Sequence, residues 1–208
     1  MRILTNNDTG KAAAKEEMSS RQHEIILESI KIISTEGVQA LTIKNIANAI
    51  KVTERAIYRH FESKSDIIKA IICEFRNKMG QMKKTLETEN HTPLEAIVRF
   101  IQLHFEGFMR EPYMTSLLFS EEMFRAEDNS QEYLKTMFAM AKKQVGGLIK
   151  KGQEKREIRT DLEAENMTVI VLGTIRFHIL QWHLDGRKYD LLKEGENLIG
   201  TIKKMLEK

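Results

Sequence analysis

Apolar residues recur every third or fourth position through most of this chain, and only two prolines and eleven glycines interrupt its 208 residues. Ile26, Ile30 and Ile33 show the spacing, at i, i+4 and i+7. Such a stripe lies on one side of an α-helix, whereas a half-buried strand needs strict alternation. No series of short alternating segments occurs, so the expected fold is all-α. A chain of this length can bury a sizeable core, in one or two domains, without disulfides or metals. Its 41% hydrophobic and 30% charged residues suit a soluble globular protein. The longest apolar run, near Val169 to Ile175, is far short of the ~18–20 residues that span a bilayer, so no membrane partner is expected. The single cysteine, Cys73, excludes an internal disulfide, and the polar N-terminus lacks the apolar segment of a secretory signal. Both features fit a cytoplasmic protein.

Capping residues divide the chain into about nine helices. Residues 1–18 carry no apolar periodicity, and Arg2, Lys11 and Lys15 are balanced there by Asp8, Glu16 and Glu17. They read as a flexible arm rather than one built to enter a DNA minor groove. A helix begins at Ser19 and is stopped by Gly37. Thr42 is a good N-cap for a short helix that buries Ile43, Ile46, Ala47 and Ile50. Lys51-Val52 is a tight connection, and Thr53 caps a further short helix to about His60. Ser63-Lys64-Ser65-Asp66 has a capping-box pattern and opens a long helix to about Thr88. Pro93 and Pro112 suit first helical turns, and further helices are expected near 92–110, 112–125, 129–155, 162–184 and 189–207. Asp161 is placed to cap the fourth of these, and Gly146-Gly147 should bend or loosen the third.

Two short helices joined by a tight turn, Thr42 to Phe61, make a helix-turn-helix candidate. The motif needs a small residue where the helices cross, an apolar one in the turn, and inward apolar positions on the second helix. Ala47, Val52, Ala56, Ile57 and Phe61 supply them. The outward positions are then Glu54, Arg55, Tyr58 and Arg59, and arginine pairs bidentately with guanine while tyrosine reaches phosphate. Between Leu41 and Lys64 the bases Lys44, Lys51, Arg55, Arg59 and Lys64 face only Glu54 and Glu62. That local excess equals the net charge of the whole chain, +3.

Residues 21–75 resemble the N-terminal DNA-binding domain of TetR-type (TetR/AcrR) transcriptional regulators. The resemblance rests on Glu36-Gly37, Leu41-Thr42, Ile46-Ala47, Val52-Thr53, Ile57-Tyr58-Arg59-His60-Phe61 and Ser63-Lys64. Lys51 stands where the family has a turn glycine, at a cost of about 1 kcal/mol if the position is left-handed. The resemblance implies DNA-contact roles for Thr42, Lys44, Thr53, Glu54, Arg55, Tyr58, Arg59, His60 and Lys64. Beyond the arm at 1–18, it implies a helix-turn-helix domain at 19–64 and a helical ligand-binding and dimerisation domain at 65–208. The last two helices resemble a pair that forms a four-helix bundle with a second subunit, at Val169, Leu172, Gly173, Arg176, Leu192, Glu196, Ile199 and Ile202. Such a homodimer would present two recognition helices about one DNA turn (~34 Å) apart to a palindromic operator on double-stranded DNA.

The second half is rich in adaptable hydrophobes, which suits a core and also a cavity for a small lipophilic effector. Phe100, Phe105, Phe108, Met109, Met123, Phe138, Phe177 and Trp182 are the candidate lining, with His104 and His178 as its polar groups. The resemblance implies a ligand-responsive transcriptional regulator, most often a repressor. An alternative is a protein of the same fold acting through protein partners. A helical enzyme finds little support. His178 and His183 lie about 140° apart around a helix, no His-Glu-x-x-His or Glu-x-x-His repeat occurs, and no glycine-rich phosphate loop is present. No metal or cofactor is expected.

Overall fold

The computed structural model describes residues 18–119 and 130–208. Nine α-helices are found among the described residues: α1 (Ser20–Glu36), α2 (Ile43–Ala49), α3 (Glu54–Tyr58), α4 (Lys64–Thr88), α5 (Pro93–Arg110), α6 (Met114–Phe119), α7 (Ser130–Glu154), α8 (Ala164–Leu184) and α9 (Leu191–Leu206). The expected all-α architecture is thus observed, with one isolated bridge between Ile158 and Glu207 tying the α7–α8 connection to the last helix. The arm expected at 1–18 and the far end of the helix expected at 112–125, with Met123, fall almost entirely outside the described residues.

Side-chain caps fix the helix starts. Thr42 accepts from the Asn45 amide at 3.1 Å, Thr53 from Ala56 at 3.3 Å, and Ser63 from Asp66 at 3.2 Å. Each satisfies an amide that the first turn leaves without a partner, which contributes about 1 kcal/mol. Asp66 returns its carboxylate to the Ser63 hydroxyl at 2.8 Å, so the box closes through the side chain. Asp161 does not cap α8. Arg159 holds its carboxylate at 2.7 and 2.6 Å, and α8 begins at Ala164 behind Glu163, which makes no side-chain cap. Nor do Gly146 and Gly147 interrupt α7, which runs unbroken past both. Packing against α8 accounts for the first of them: a Cβ on Gly146 would meet Thr168 Oγ1 at 3.2 Å.

The head, α1 to α3, closes over Ile26, Ile30, Leu41, Ile46 and Ile57, all fully buried. Its core is continuous with that of the remaining helices through Ile67, Ile68, Ile71 and Ile72 of α4. The α2–α3 turn shows how Lys51 replaces glycine. Lys51 is left-handed, with φ 57°, and the Val52 amide reaches back to the Ala47 carbonyl at 2.9 Å. That closing bond requires a left-handed residue before it, and the Val52 side chain then packs against the core. Lys51→Gly is expected to stabilise the chain by about 0.5–1 kcal/mol. A urea melt of the variant with an unchanged or lower midpoint would show that lysine does not strain the turn.

Candidate nucleic-acid interface and ligand cavity

The helix-turn-helix leaves most of its expected contact residues exposed. Lys44 on α2 and Glu54 and Arg55 on α3 are exposed, and Tyr58 is 52% exposed although its neighbour Ile57 is fully buried. The recognition helix ends at Tyr58, two residues sooner than expected, but Arg59 keeps helical dihedrals (φ −71°, ψ −18°). Arg55 and Arg59 are therefore one turn apart on the same face. His60 is half-buried just beyond them, and Lys64 begins α4, also half-buried. Thr42 and Thr53 are exposed with their oxygens engaged as caps. Among the described residues none of Lys44, Arg55, Arg59 and Lys64 has a carboxylate within 4 Å. Like charges without a carboxylate partner among the described residues are suited to phosphates, and the arginines add base-edge donors.

Behind the head lies a cavity of about 580 Å³ between α4, α5, α7 and α8. That is a size typical of small-molecule sites. Four of the expected lining residues are there: Phe100, His104, Phe108 and Phe138. Phe105, Met109, Phe177, His178 and Trp182 are elsewhere. Phe105 packs beneath Gly195, where a Cβ would come within 2.5 Å of its ring. His178 rests on the Phe105 ring at 5.3 Å between centroids. Trp182 donates to the Tyr189 carbonyl at 2.8 Å, Met109 packs on the core, and Phe177 is 67% exposed. The wall that sequence reasoning missed is α4, which contributes Phe75, Met79 and Leu86. These are helically spaced beyond the head-packing isoleucines, and that second apolar stretch was the available signal.

His104 is the main polar group of the apolar floor. Its Nδ1 donates to the Phe100 carbonyl at 2.8 Å. Burial pushes the imidazole down to about 4 despite that bond, so it is neutral at pH 7 and Nε2 remains an acceptor. Arg176 lies 5.0 Å from the Phe119 ring centroid and 5.3 Å from that of Phe138. Desolvation lowers its pKa.

The residues expected at a subunit interface separate into three groups. Val169, Gly173 and Glu196 are exposed, and Leu192 is half-buried. Leu172 and Arg176 line the cavity instead. Ile199 and Ile202, 7% and 3% exposed, belong to the chain's own core. In their place α8 exposes Ile170, Phe177 and Leu184, and with Val169 and Gly173 these form an outward apolar stripe.

Comparison with known proteins follows the same division. Residues 25–71 match the family of bacterial regulatory proteins termed tetR, and residues 93–197 match the tetracyclin repressor-like C-terminal domain. The fatty acid metabolism regulator protein of Bacillus subtilis (strain 168) is 25% identical over 185 residues, covering 86% of this chain and 92% of the relative. The HTH-type transcriptional repressor BepR of Brucella suis biovar 1 is 25% identical over 197 residues, covering 90% and 92%. The crystal structure of the regulator FadR from Bacillus subtilis in complex with stearoyl-CoA superposes with a TM-score of 0.74 at 18% identity, covering 89% of this chain and 99% of that one.

The state of His104 gives a pH dependence. An unfolded chain protonates this histidine near its ordinary value of 6.5, whereas the folded chain does so only near 4. The folded state therefore loses stability as pH falls through that window, and the loss is complete below it. His104→Gln is expected to remove about one proton from the pH dependence of unfolding. Matching slopes for the two proteins in urea melts between these pH values would refute the buried, neutral assignment.

Proposed function

Because this chain belongs to the TetR family of bacterial regulatory proteins, we propose that it is a dimeric transcriptional repressor that binds a palindromic operator and releases it when a lipophilic effector fills the cavity. That it is a DNA-binding regulator rather than an enzyme follows from the family itself. The finer reading is carried by one observation: a single helix, α4, joins the two sites. Its first residue, Lys64, stands at the basic face, while Phe75, Met79 and Leu86 line the cavity.

At 25 residues α4 is about 37 Å long. Its N-terminal third is locked to the head by buried isoleucines. An occupant that presses on the C-terminal part therefore turns the head with it. Two further contacts bear on this motion. Lys78 of α4 is paired with Glu111 at the α5–α6 corner. α6 packs against α1 of the head and is tied to α8 by Thr115 Oγ1 and His183 Nδ1 at 2.7 Å. Effector and operator then select different placements of the same helices, and each ligand weakens the other.

The effector we favour is a long-chain fatty acyl compound. The apolar floor suits an acyl chain, and the FadR complex with stearoyl-CoA supplies a relative of the same fold that holds one. The outward stripe on α8 supports dimerisation. Val169, Phe177 and Leu184 are 55%, 67% and 74% exposed, and a contiguous apolar patch of this kind marks a contact surface. With no helix among the described residues long and apolar enough to cross a membrane, we place the protein in the cytoplasm beside its DNA.

Selection of bound duplexes from a random library, at two salt concentrations, tests the central claim. A palindrome should be enriched, and binding without a motif would favour a regulator acting through protein partners. On the selected operator, Arg55→Ala should cost about 1–3 kcal/mol and relax one position of each half-site. Lys64→Ala should weaken all sequences alike and lower the salt slope by about one. Phe177→Asp should yield monomers in sedimentation runs and lose the preference for two half-sites over one; a dimer of unchanged stability would place the interface elsewhere.

A further inference from the structure

Gly146 and Gly147 are adjacent on α7, but only the first has a packing reason to be glycine. A Cβ at Gly147 would meet nothing within 4 Å, although glycine inside a helix costs about 1 kcal/mol relative to alanine. Gly147 lines the cavity, and so do Lys143 and Lys151, four residues to either side. Each lysine is about 6 Å along the axis from the glycine. The result is a notch in the helix surface with an ammonium group at each end. Both lysines are exposed, and among the described residues neither has a carboxylate within 4 Å.

The facing wall has the same sign. Arg76 and Lys83 of α4 also line the cavity and are exposed. Among the described residues the acid on this rim is Glu87, 3.5 Å from Lys83 in an exposed pair, which is weak and readily exchanged. α4 and α7 are not closely packed on one another, so the rim is an opening between two walls that repel. Beneath it the lining is apolar, with Leu148, Phe100 and Ile175.

We propose that this rim is a seat for a phosphate-bearing polyanionic headgroup, held over Gly147 between Lys143 and Lys151 and bridged to Lys83, while the acyl chain lies on the floor. The proposal rests on the reading above that the cavity holds the effector's acyl chain. A single carboxylate cannot neutralise four cations set on two helices, whereas several phosphate oxygens can accept from all of them. Binding also removes the repulsion between the walls. The headgroup thereby draws on α4, the helix that carries Lys64 to DNA, so the charged part of the effector contributes to release as well as to affinity.

Calorimetric titration of the full chain with submicellar stearoyl-CoA, stearate and acyl-free CoA tests the seat. Stearoyl-CoA should bind at least about tenfold more tightly than stearate, with an affinity that falls as salt rises. Lys143→Gln combined with Lys151→Gln should reduce that preference about tenfold or more. Gly147→Leu should also reduce it by filling the notch, while its melting temperature holds or rises because leucine is the better helix former. Equal affinities for stearoyl-CoA and stearate, or a preference untouched in both variants, would overturn the seat and leave the lipophilic cavity standing. Binding of none of the acyl probes would remove the cavity reading, and the seat with it.

Discussion

The burial of four isoleucines on α4 is the contact on which the rest of this structure depends. Ile67, Ile68, Ile71 and Ile72 are between 0% and 4% exposed, in one core with Ile26, Ile30 and Ile57 of the head. Each such side chain contributes about 1.5–3 kcal/mol when fully buried. Together they make the head and the first three turns of α4 a single body. Beyond them the helix keeps its hydrogen bonds but changes its surroundings, from close-packed core to the wall of a cavity. A helix held firmly at one end and loosely at the other can convert a change in the cavity into a change in head position. Without the isoleucines the same displacement would be absorbed at the α3–α4 junction.

Three features of the chain are unfavourable for it alone. The basic face gathers Lys44, Arg55, Arg59 and Lys64, none with a carboxylate within 4 Å among the described residues. α8 leaves Phe177 and Leu184 in solvent, and a cavity of about 580 Å³ lies between α4 and α7. Each is matched by one of the partners proposed here: phosphates, a second copy, and an amphipathic effector. Lys51 is a fourth and smaller cost, since a left-handed lysine is strained where glycine would not be. Its charge lies in the turn between α2 and α3, next to the face that would meet DNA.

Much of the head was legible because its signals are local. Thr42, Thr53 and Ser63 each act as the cap that their position suggested, since a capping bond spans three residues and needs no distant partner. Ala47, Val52 and Phe61 occupy their expected places for the same reason. Asp161 was misplaced because a nearer competitor existed. Arg159, two residues away, takes both oxygens of its carboxylate, and α8 starts at Ala164, two residues too late for Asp161 to be its N-cap. α7 runs unbroken through Gly146-Gly147 because propensity is a weak term beside the packing of α7 on α8.

The cavity and the outer face of α8 were not legible. α8 is apolar on nearly every side, so no periodic contrast in its sequence says which residues point inward. Phe177 reads as cavity lining and is exposed, while Leu172 reads as interface and lines the cavity. α9 has a clear apolar face, but Ile199 and Ile202 turn it toward the chain's own core rather than a partner. The helical class, most helix starts and the helix-turn-helix with its basic residues were readable from the chain alone, because these rest on spacing and on bonds between near neighbours. Only the tertiary structure decided which faces of α4, α7 and α8 enclose a cavity, because that depends on how distant helices are set against one another, and an all-apolar helix can satisfy its burial in more than one orientation.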